Sequence, residues 1–288
     1  MRFYIADKVR EVALSTAVGY AAEALGYEYQ IASNGSYKRP DPAVSVACIF
    51  GVKRPSRRFM ADHKAANIHT LFFDKGYTRR PRDKLARFRV SANAIQPTSY
   101  LMNVKHPADR FRATGVNFKK QRNIDGGSPV LIAGSSQKYH DWFPRVSPSD
   151  AMGYYEALAR NIRRHTDRPI VWRPKPSWKL AEPIKDTRYS LNPITVEIEL
   201  AGAHSVIVTG AGVAFHSLAM GVPTYVMPGF ANVAEGIAGH SLARLLFGNG
   251  LPDDETRYRF CCNVCYQEWT LAEYAAGMWL DLLGDQLK

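Results

Sequence analysis

The sequence predicts an α/β protein with two halves, each built on a mainly parallel sheet. Short apolar runs alternate with helix-length amphipathic segments, which is typical of parallel strands joined by helical crossovers. The alternation stops in a basic, irregular stretch and starts again at Val130. With 288 residues, of which 46% are hydrophobic, the chain is long enough for two domains with cores of their own.

The first half contains four predicted strands and two predicted helices. In chain order they are strand Arg2–Ile5, helix Arg10–Leu25, strands Tyr27–Ala32 and Val44–Phe50, helix Lys53–Ala66 and strand His69–Phe73. Residues 78–128 are basic and lack a clear period, so the pattern predicts no element for most of them.

The second half repeats this alternation. Its predicted elements are strand Val130–Ala133, helix Asp150–Arg164, strand Pro169–Trp172, helix Ile194–Ala201 and a strand–loop–helix–strand unit from Ser205 to Gly229. The aromatic residues and helix formers after Cys261 predict terminal helices. We therefore expect domains at residues 1–125 and 126–260, followed by C-terminal helices at 261–288.

The unit from Ser205 to Gly229 is the most informative stretch of the chain. Its first apolar run ends in Thr209-Gly210-Ala211-Gly212, directly before a helix-length segment. A loop with small side chains lets the backbone N–H groups at a helix N-terminus approach an anion such as a phosphate. The structural alternative is a glycine turn required only by steric crowding.

Several classes of protein are disfavoured by what the sequence lacks. It has no apolar run long enough for a membrane helix, and charged residues interrupt its N-terminal stretch, so we expect no leader peptide and a cytoplasmic protein. Three of the four cysteines crowd into Cys261–Cys265 without a second ligand pair, which favours reduced, buried thiols over a zinc site. No Asp-x-Asp motif is present, so no metal is expected. A Walker motif is also absent, which disfavours ATP hydrolysis, and there is no G-x-S-x-G motif.

The net charge of +12 is concentrated in one region. Between Lys53 and Arg122 there are 18 Lys and Arg against four Asp, and the rest of the chain is slightly acidic. Such a density of cations attracts polyanions, nucleic acid or anionic polysaccharide above all. The alternative is a solvated surface that keeps the protein soluble.

The chain resembles GT-B type glycosyltransferases, in particular capsular-polysaccharide (Kdo-type) transferases and related phage-encoded proteins. In the second half, Val130–Ser136 is similar to the first strand and phosphate-facing loop of the donor domain. Ile170–Pro176 is similar to the family's strand followed by Arg-Pro-His-Pro, and Val206–Pro223 to its strand, loop and helix. In the first half, Phe72–Tyr77 resembles an acidic-residue-plus-Gly-aromatic motif of the acceptor domain.

The resemblance implies two Rossmann-like domains facing a cleft, with the donor bound by the second half and the acceptor by the first. It implies a nucleotide sugar as co-substrate, for which we expect a UDP-sugar, and no further cofactor. The candidate donor-binding residues are Gly134, Ser135, Ser136, Lys138, Arg173, Lys175, Thr209, Gly210, Ala211, Gly212 and His216. Arg173 and Lys175, which are next to prolines, would stabilise the negative charge that develops on the leaving phosphate.

Asp74 is the candidate catalytic base, because it follows a predicted strand at the edge where parallel sheets bind ligands. Alternatively it caps a turn or pairs with a neighbouring cation, and Asp7 is a competing carboxylate at the same edge. The candidate polyanion contacts are Lys53, Arg54, Arg57, Arg58, Lys75, Arg79, Arg80 and Arg82.

We therefore expect a glycosyltransferase acting on a polyanionic acceptor, with phage DNA carrying hydroxymethylated bases as the best fit, in the host cytoplasm. One alternative is an envelope or capsule transferase acting on an anionic glycolipid. Another is a non-catalytic nucleic-acid-binding protein on a degenerate GT-B fold, favoured by Lys175, Ala211 and His216, where relatives carry His, Ser and Glu. The sequence leaves the sugar, the anomeric outcome and the oligomeric state open.

Overall fold

The chain folds into two compact units. The structure is a computed structural model, and it describes residues 1–7, 12–33, 37–52, 54–78, 87–121, 127–144, 146, 150–191, 193–210, 212–239, 241–246, 250–280 and 284. The first unit comprises Met1–Tyr100 and Val264–Lys288, and the second unit comprises Leu101–Asn263. Residues 101–121 thus belong to the second unit, although the sequence suggested a boundary near residue 125.

Each strand predicted from an apolar run is present. The strands are β1 (Arg2–Asp7), β2 (Glu28–Ser33), β3 (Val46–Phe50), β4 (His69–Lys75), β5 (Arg87–Ala92), β6 (Val130–Ala133), β7 (Ile170–Arg173), β8 (Arg188–Tyr189), β9 (Ser205–Val208), β10 (Thr224–Val226) and β11 (Glu268–Thr270). The helices are α1 (Val12–Ala24), α2 (Arg54–Ala65), α3 (Thr98–Asn103), α4 (Asp109–Ala113), α5 (Gln137–His140), α6 (Ala151–Arg163), α7 (Val196–Gly202), α8 (Val213–Ala219), α9 (Leu242–Leu246), α10 (Asp254–Cys265) and α11 (Leu271–Ala275).

The second unit contains a parallel five-stranded sheet in the order β10-β9-β6-β7-β8. The strand of this unit that comes first in the chain, β6, therefore lies in the middle of the sheet, between β7 and β9. Strands β6, β7 and β9 are buried along their whole length, as expected for parallel strands covered on both faces. This strand order is that of a Rossmann-type sheet. From β6 the chain adds strands β7 and β8 on one side and then returns to add β9 and β10 on the other, so the strand order reverses between β6 and β9.

The first unit contains a six-stranded sheet in the order β11-β5-β4-β3-β1-β2. Strands β2, β1, β3 and β4 run parallel, whereas β5 and β11 are antiparallel additions at one edge. Strands β5 and β11 were not predicted from the sequence. Strand β5 carries Arg87 and Arg89, which resemble surface charges, and β11 has only three residues within the segment expected to be helical.

Each unit has its own core. In the first unit the core includes Phe3, Phe73 and Trp279, and in the second it includes Tyr155 and Trp172. All four cysteines are free and buried, which confirms the expectation of buried thiols. Over the described part of the chain, no helix is both long and apolar enough to cross a membrane.

The positive charge is divided evenly between the units. In the full sequence the first unit has 18 Lys and Arg against 12 Asp and Glu, and the second has 20 against 14, so each carries +6. The basic window from Lys53 to Arg122 crosses the boundary, with 12 of its 18 cations in the first unit. Net charge therefore does not distinguish one unit as the side for a polyanion.

Candidate functional site

Two predicted phosphate-facing loops meet at the carboxyl edge of the second unit's sheet. Ala133, the last residue of β6, is paired with Val208 of β9 and with Arg173 of β7. The loops that begin at Gly134 and Thr209 therefore leave the sheet side by side. Open α/β sheets bind ligands at this edge, where the strand order reverses.

The hydroxyl of Tyr155, from α6, joins these two loops. It accepts a hydrogen bond from the backbone N–H of Ser135 at 2.7 Å, and it lies 2.7 Å from Oγ1 of Thr209 and 2.8 Å from Nε2 of His140. The Tyr155 side chain is fully buried, and burial raises the pKa of its phenol. It therefore stays protonated and keeps one proton to donate.

His140 is the third member of this network. Its ring is fully buried and has edge-on contacts with Tyr154, Tyr155 and Phe230. Burial lowers the pKa of His140 to about 4, although the nearby Asp141 carboxylate acts in the opposite direction. The imidazole is therefore neutral at pH 7, with one nitrogen as donor and the other as acceptor.

The glycines of the two loops are required by packing. A Cβ at Gly210 would overlap the ring of Tyr139, and a Cβ at Gly134 would overlap the ring of Trp172. The steric alternative named for the turn at Gly210 therefore holds there, and Gly134 is subject to the same kind of crowding. The glycines bring aromatic rings against the loop backbones, and this contact fixes the course of the loops.

A residue beyond β10 also supports the second loop. The Asn232 side-chain amide donates to the backbone carbonyl of Thr209, and its Oδ1 accepts from the N–H of Ala234 at 3.1 Å. Asn232 is buried. Asn232 is not among the predicted site residues, because an asparagine in a loop is usually solvated.

Arg173 is engaged inside the second unit. Its guanidinium donates to Ser190 Oγ and to the Ile194 carbonyl, both at 2.8 Å, and only 7% of the residue is exposed. Ser190 in turn donates to Glu199 at 2.6 Å. Burial alone would raise the pKa of Glu199, but hydrogen bonds from Arg188 and Ser190 hold it below its usual value. The contacts of Arg173 thus tie the end of β7 to the segment before α7.

The other donor-side candidates lie nearer the surface. Ser136 occupies the N-cap position of α5, but its hydroxyl makes no capping hydrogen bond. Lys138 and Lys175 are exposed and follow β6 and β7, so both lie at the carboxyl edge of the sheet. Gly212 is the N-cap of α8 and half-buried His216 lies in its last turn; Ala211 is outside the described residues.

In the first unit, Asp74 lies near the carboxyl end of β4. Its Oδ1 accepts from the backbone N–H of Lys75 at 2.8 Å, and its Oδ2 lies 3.4 Å from Nη2 of Arg89. The side chain is 36% exposed, whereas the Arg89 side chain is almost completely buried. Such an ion pair is the predicted alternative to a catalytic role for Asp74, and the pairing leaves the carboxylate accessible.

A buried carboxylate holds the loop after β4. Glu268 of β11 accepts hydrogen bonds from the N–H groups of Tyr77 and Thr78 and from the Thr78 hydroxyl. Burial raises the pKa of Glu268, and these hydrogen bonds oppose the increase. The guanidinium of Arg89 lies over the Tyr77 ring, 5.0 Å from its centroid. Glu268 lies about 190 residues beyond the loop in the chain, so no local sequence pattern predicts this contact.

The structure places some of the candidate polyanion contacts. Arg57 and Arg58 of α2 are exposed, as is Lys75, and Arg58 pairs with Asp62 at 3.4 Å. Arg54 begins α2, but its side chain is outside the description, as are Lys53, Arg79, Arg80 and Arg82. Among the described residues, no three His, Cys, Asp or Glu are grouped closely enough to hold a metal ion.

No protein-family model and no curated protein sequence matches the chain. Among solved structures, KpsC of Thermosulfurimonas dismutans (beta Kdo 2,4 transferase) aligns with 90% of this chain and 98% of its own, with a TM-score of 0.51 and 10% identity. KpsC of the same organism (beta Kdo 2,7 transferase) aligns with 98% of this chain and 99% of its own, with a TM-score of 0.49 and 12% identity. The glycosyltransferase SnogD from Streptomyces nogalater covers 98% of both chains, with a TM-score of 0.33 and 14% identity.

The likeness to the first KpsC structure extends over nearly the whole of both chains. It agrees with the two sheets, one fully parallel and one mainly parallel, found in the two units. The α/β fold class predicted from the sequence is thereby confirmed, and the chain has the GT-B type of fold found in glycosyltransferases.

Proposed function

We propose that the protein is a glycosyltransferase that moves a sugar from a nucleotide donor to an acceptor hydroxyl. The observation that carries the proposal is the meeting of two small-residue loops at the switch point of a Rossmann-type sheet. Exposed Lys138 and Lys175 lie at the same edge. In a fold shared with a Kdo transferase, this edge suits the phosphate of a nucleotide sugar.

On the donor side, Lys138 and Lys175 contact the phosphate oxygens, and the free hydroxyl of Ser136 donates to them. Gly212 and His216 lie towards the nucleoside. Arg173 acts indirectly, because its hydrogen bonds to Ser190 and Ile194 hold the chain from which Lys175 extends. We expect a UDP-sugar as the donor.

Asp74 is the proposed base. The acceptor oxygen forms a bond to the anomeric carbon while the bond from that carbon to the phosphate oxygen breaks. The hydroxyl proton goes to Asp74, and the electron pair of the broken bond goes to the nucleotide phosphate. Arg89 orients Oδ2 of Asp74, and the backbone N–H of Lys75 orients Oδ1, so the base is held in one position.

Replacing this carboxylate tests the assignment. We expect Asp74→Asn to lower kcat by about 100-fold or more with little change in donor KM, since a general base contributes 10²–10⁴-fold. Asp41→Asn is the matched control, because Asp41 is an exposed carboxylate of the same unit that also accepts a backbone N–H, from Ala43. Equal activity of Asp74→Asn and the control would disprove the catalytic role.

Donor choice is measured by thermal unfolding with UDP-, dTDP-, GDP- and CMP-sugars. A ligand at 100 times its Kd stabilises the folded state by about 2.7 kcal/mol, so one nucleotide should raise Tm clearly. The increase should be smaller in Lys175→Ala than in Lys179→Ala, an exposed lysine four residues farther on. Binding of no nucleotide sugar would contradict the proposal as a whole.

For the acceptor we propose a polyanion, with DNA that carries hydroxymethylated bases as the substrate. Arg57, Arg58, Lys64 and Lys75 support this, because they are exposed cations of the first unit. Transfer to hydroxymethylated duplex, absent with unmodified duplex and weakened steeply by salt, is the expected result. Donor turnover with an anionic glycolipid and none with DNA would instead identify an envelope or capsule transferase.

A further inference from the structure

We propose that the Tyr155 hydroxyl positions the two phosphate-facing loops for the donor, and is thereby a positioning residue for the transfer reaction. The inference rests on the proposed function. It goes beyond that function because it assigns a role to an uncharged and fully buried residue, which acts on the donor only through its neighbours. Its action on the donor passes through Ser135 and Thr209, which lie near the start of the two loops.

The hydroxyl is the direct link between these loops. Ser135 follows β6 and Thr209 follows β9, and the two lie 74 positions apart in the chain. Both polar atoms turn inward to the same oxygen at 2.7 Å. The outward faces of the loops are then fixed relative to each other, as a phosphate site needs before its ligand arrives.

The hydrogen-bonding capacity of the hydroxyl matches its three partners. A tyrosine oxygen donates one hydrogen bond and accepts up to two. It accepts from Ser135 N–H, so the tyrosine proton goes to either Thr209 or His140, and the other of these two donates to the oxygen. Tyr155, His140, Ser135 and Thr209 are all buried, so bulk solvent does not compete for these hydrogen bonds.

The ring of Tyr155 contributes to the same arrangement. It packs at 4.5 Å between centroids against Trp172, whose ring in turn lies against Gly134 at the start of the first loop. The ring is one member of the second unit's core and would keep these contacts without the oxygen. Removing only the oxygen therefore separates positioning from packing.

Tyr155→Phe is the decisive variant and Tyr189→Phe is its control. The Tyr189 hydroxyl donates to the Ala181 carbonyl at 2.9 Å, so the control also loses one tyrosine hydrogen bond in the same unit, but away from both loops. We expect Tyr155→Phe to raise the Kd for the donor nucleotide and the donor KM by about tenfold, the equivalent of about one hydrogen bond. Acceptor KM should stay within about twofold, and Tyr189→Phe should leave donor KM unchanged.

Thr209 provides a second route to the same answer if Tyr155→Phe fails to fold. Thr209→Val removes the partner hydroxyl and should weaken donor binding, whereas Thr209→Ser keeps the hydroxyl and should restore it. In the double variant with Tyr155→Phe, the two losses should be less than additive, because both break the same hydrogen bond.

The outcomes separate the two proposals. If the wild type binds donor and Tyr155→Phe, or Thr209→Val where the former does not fold, binds it equally well, the positioning role is overturned and the glycosyltransferase proposal stands. Equal donor KM changes in Tyr155→Phe and Tyr189→Phe would also overturn it, since they would reflect lost stability alone. If the wild type binds no nucleotide sugar, the proposed function fails and the inference fails with it.

Discussion

Acidification should destabilise the protein through His140. The folded state holds the pKa of this imidazole at about 4, whereas in the unfolded chain it returns to about 6.5. Between these values the unfolded state binds more protons than the folded state. The stability contributed by a neutral, buried His140 is therefore present above pH 6.5 and is lost as the pH falls towards 4.

The size of the effect follows from the two pKa values. Binding of one proton with these affinities lowers the free energy of unfolding by about 2 kcal/mol at pH 5 and by about 3 kcal/mol at pH 4, relative to pH 7. That is a large part of the 5–15 kcal/mol typical of folded domains. The cause is desolvation of the ring among Tyr154, Tyr155 and Phe230, with Asp141 opposing the shift.

Urea unfolding of the wild type and of His140→Gln at several pH values between 4 and 7 measures this contribution. The glutamine amide still reaches towards the Tyr155 hydroxyl but does not titrate in this range. The difference in unfolding free energy between wild type and variant should shrink by about 3 kcal/mol from pH 7 to pH 4.

Histidines elsewhere contribute to the slope of each curve but cancel in this difference. His165→Gln, which changes an exposed histidine just after α6, is the matched control, and its unfolding free energy at pH 7 should equal that of the wild type. Wild-type and His140→Gln curves that run parallel over the whole range would refute the reasoning. They would mean that the ring is not held neutral by the folded state.

Two further predictions concern packing in the second unit. Gly210→Ala should lower the free energy of unfolding, measured in urea, by about 2 kcal/mol, because its Cβ displaces the buried Tyr139 ring. The control Gly202→Ala, whose Cβ would point into open space, should change it by about 0.5 kcal/mol or less. Equal effects of the two substitutions would contradict the steric argument. Arg257→Met should lower the free energy of unfolding by about 3 kcal/mol, since the fully buried guanidinium donates to three backbone carbonyls. Arg259 is exposed, so the control Arg259→Met should leave this free energy nearly unchanged. A stable Arg257→Met would show that these carbonyls find other partners.

The sequence predicted β3, β6, β7 and β9 well because each is a short apolar run that is buried along its length. The unit from Ser205 to Gly229 folds into β9, α8 and β10 as expected. Periodicity is a local signal, and these elements are stabilised mainly by burial of their own side chains. Strands β5 and β11 could not be found in this way, because they pair across about 180 residues.

The buried residues that support the loops of the candidate site could not be predicted from the sequence. A local pattern treats charged residues as solvated, so Arg89 and Glu268 were not expected inside the first unit. The position of Tyr155 in the sequence does carry a signal. It lies in the buried stripe of α6 with Ala151, Leu158 and Ile162, and a buried tyrosine needs a partner for its hydroxyl.

Tyr155 and Glu268 illustrate one physical requirement of loops that follow parallel strands. Such a loop must keep an outward face for a ligand, so its inward polar atoms need partners from the protein itself. Tyr155 supplies a hydroxyl to the loops after β6 and β9, and Glu268 supplies a carboxylate to the loop after β4. Burying these groups stabilises the fold less than apolar residues of equal size would, because each must first be desolvated. Their presence under the loops beside Ser135, Thr209 and Asp74 is therefore better explained by the geometry of the site than by stability.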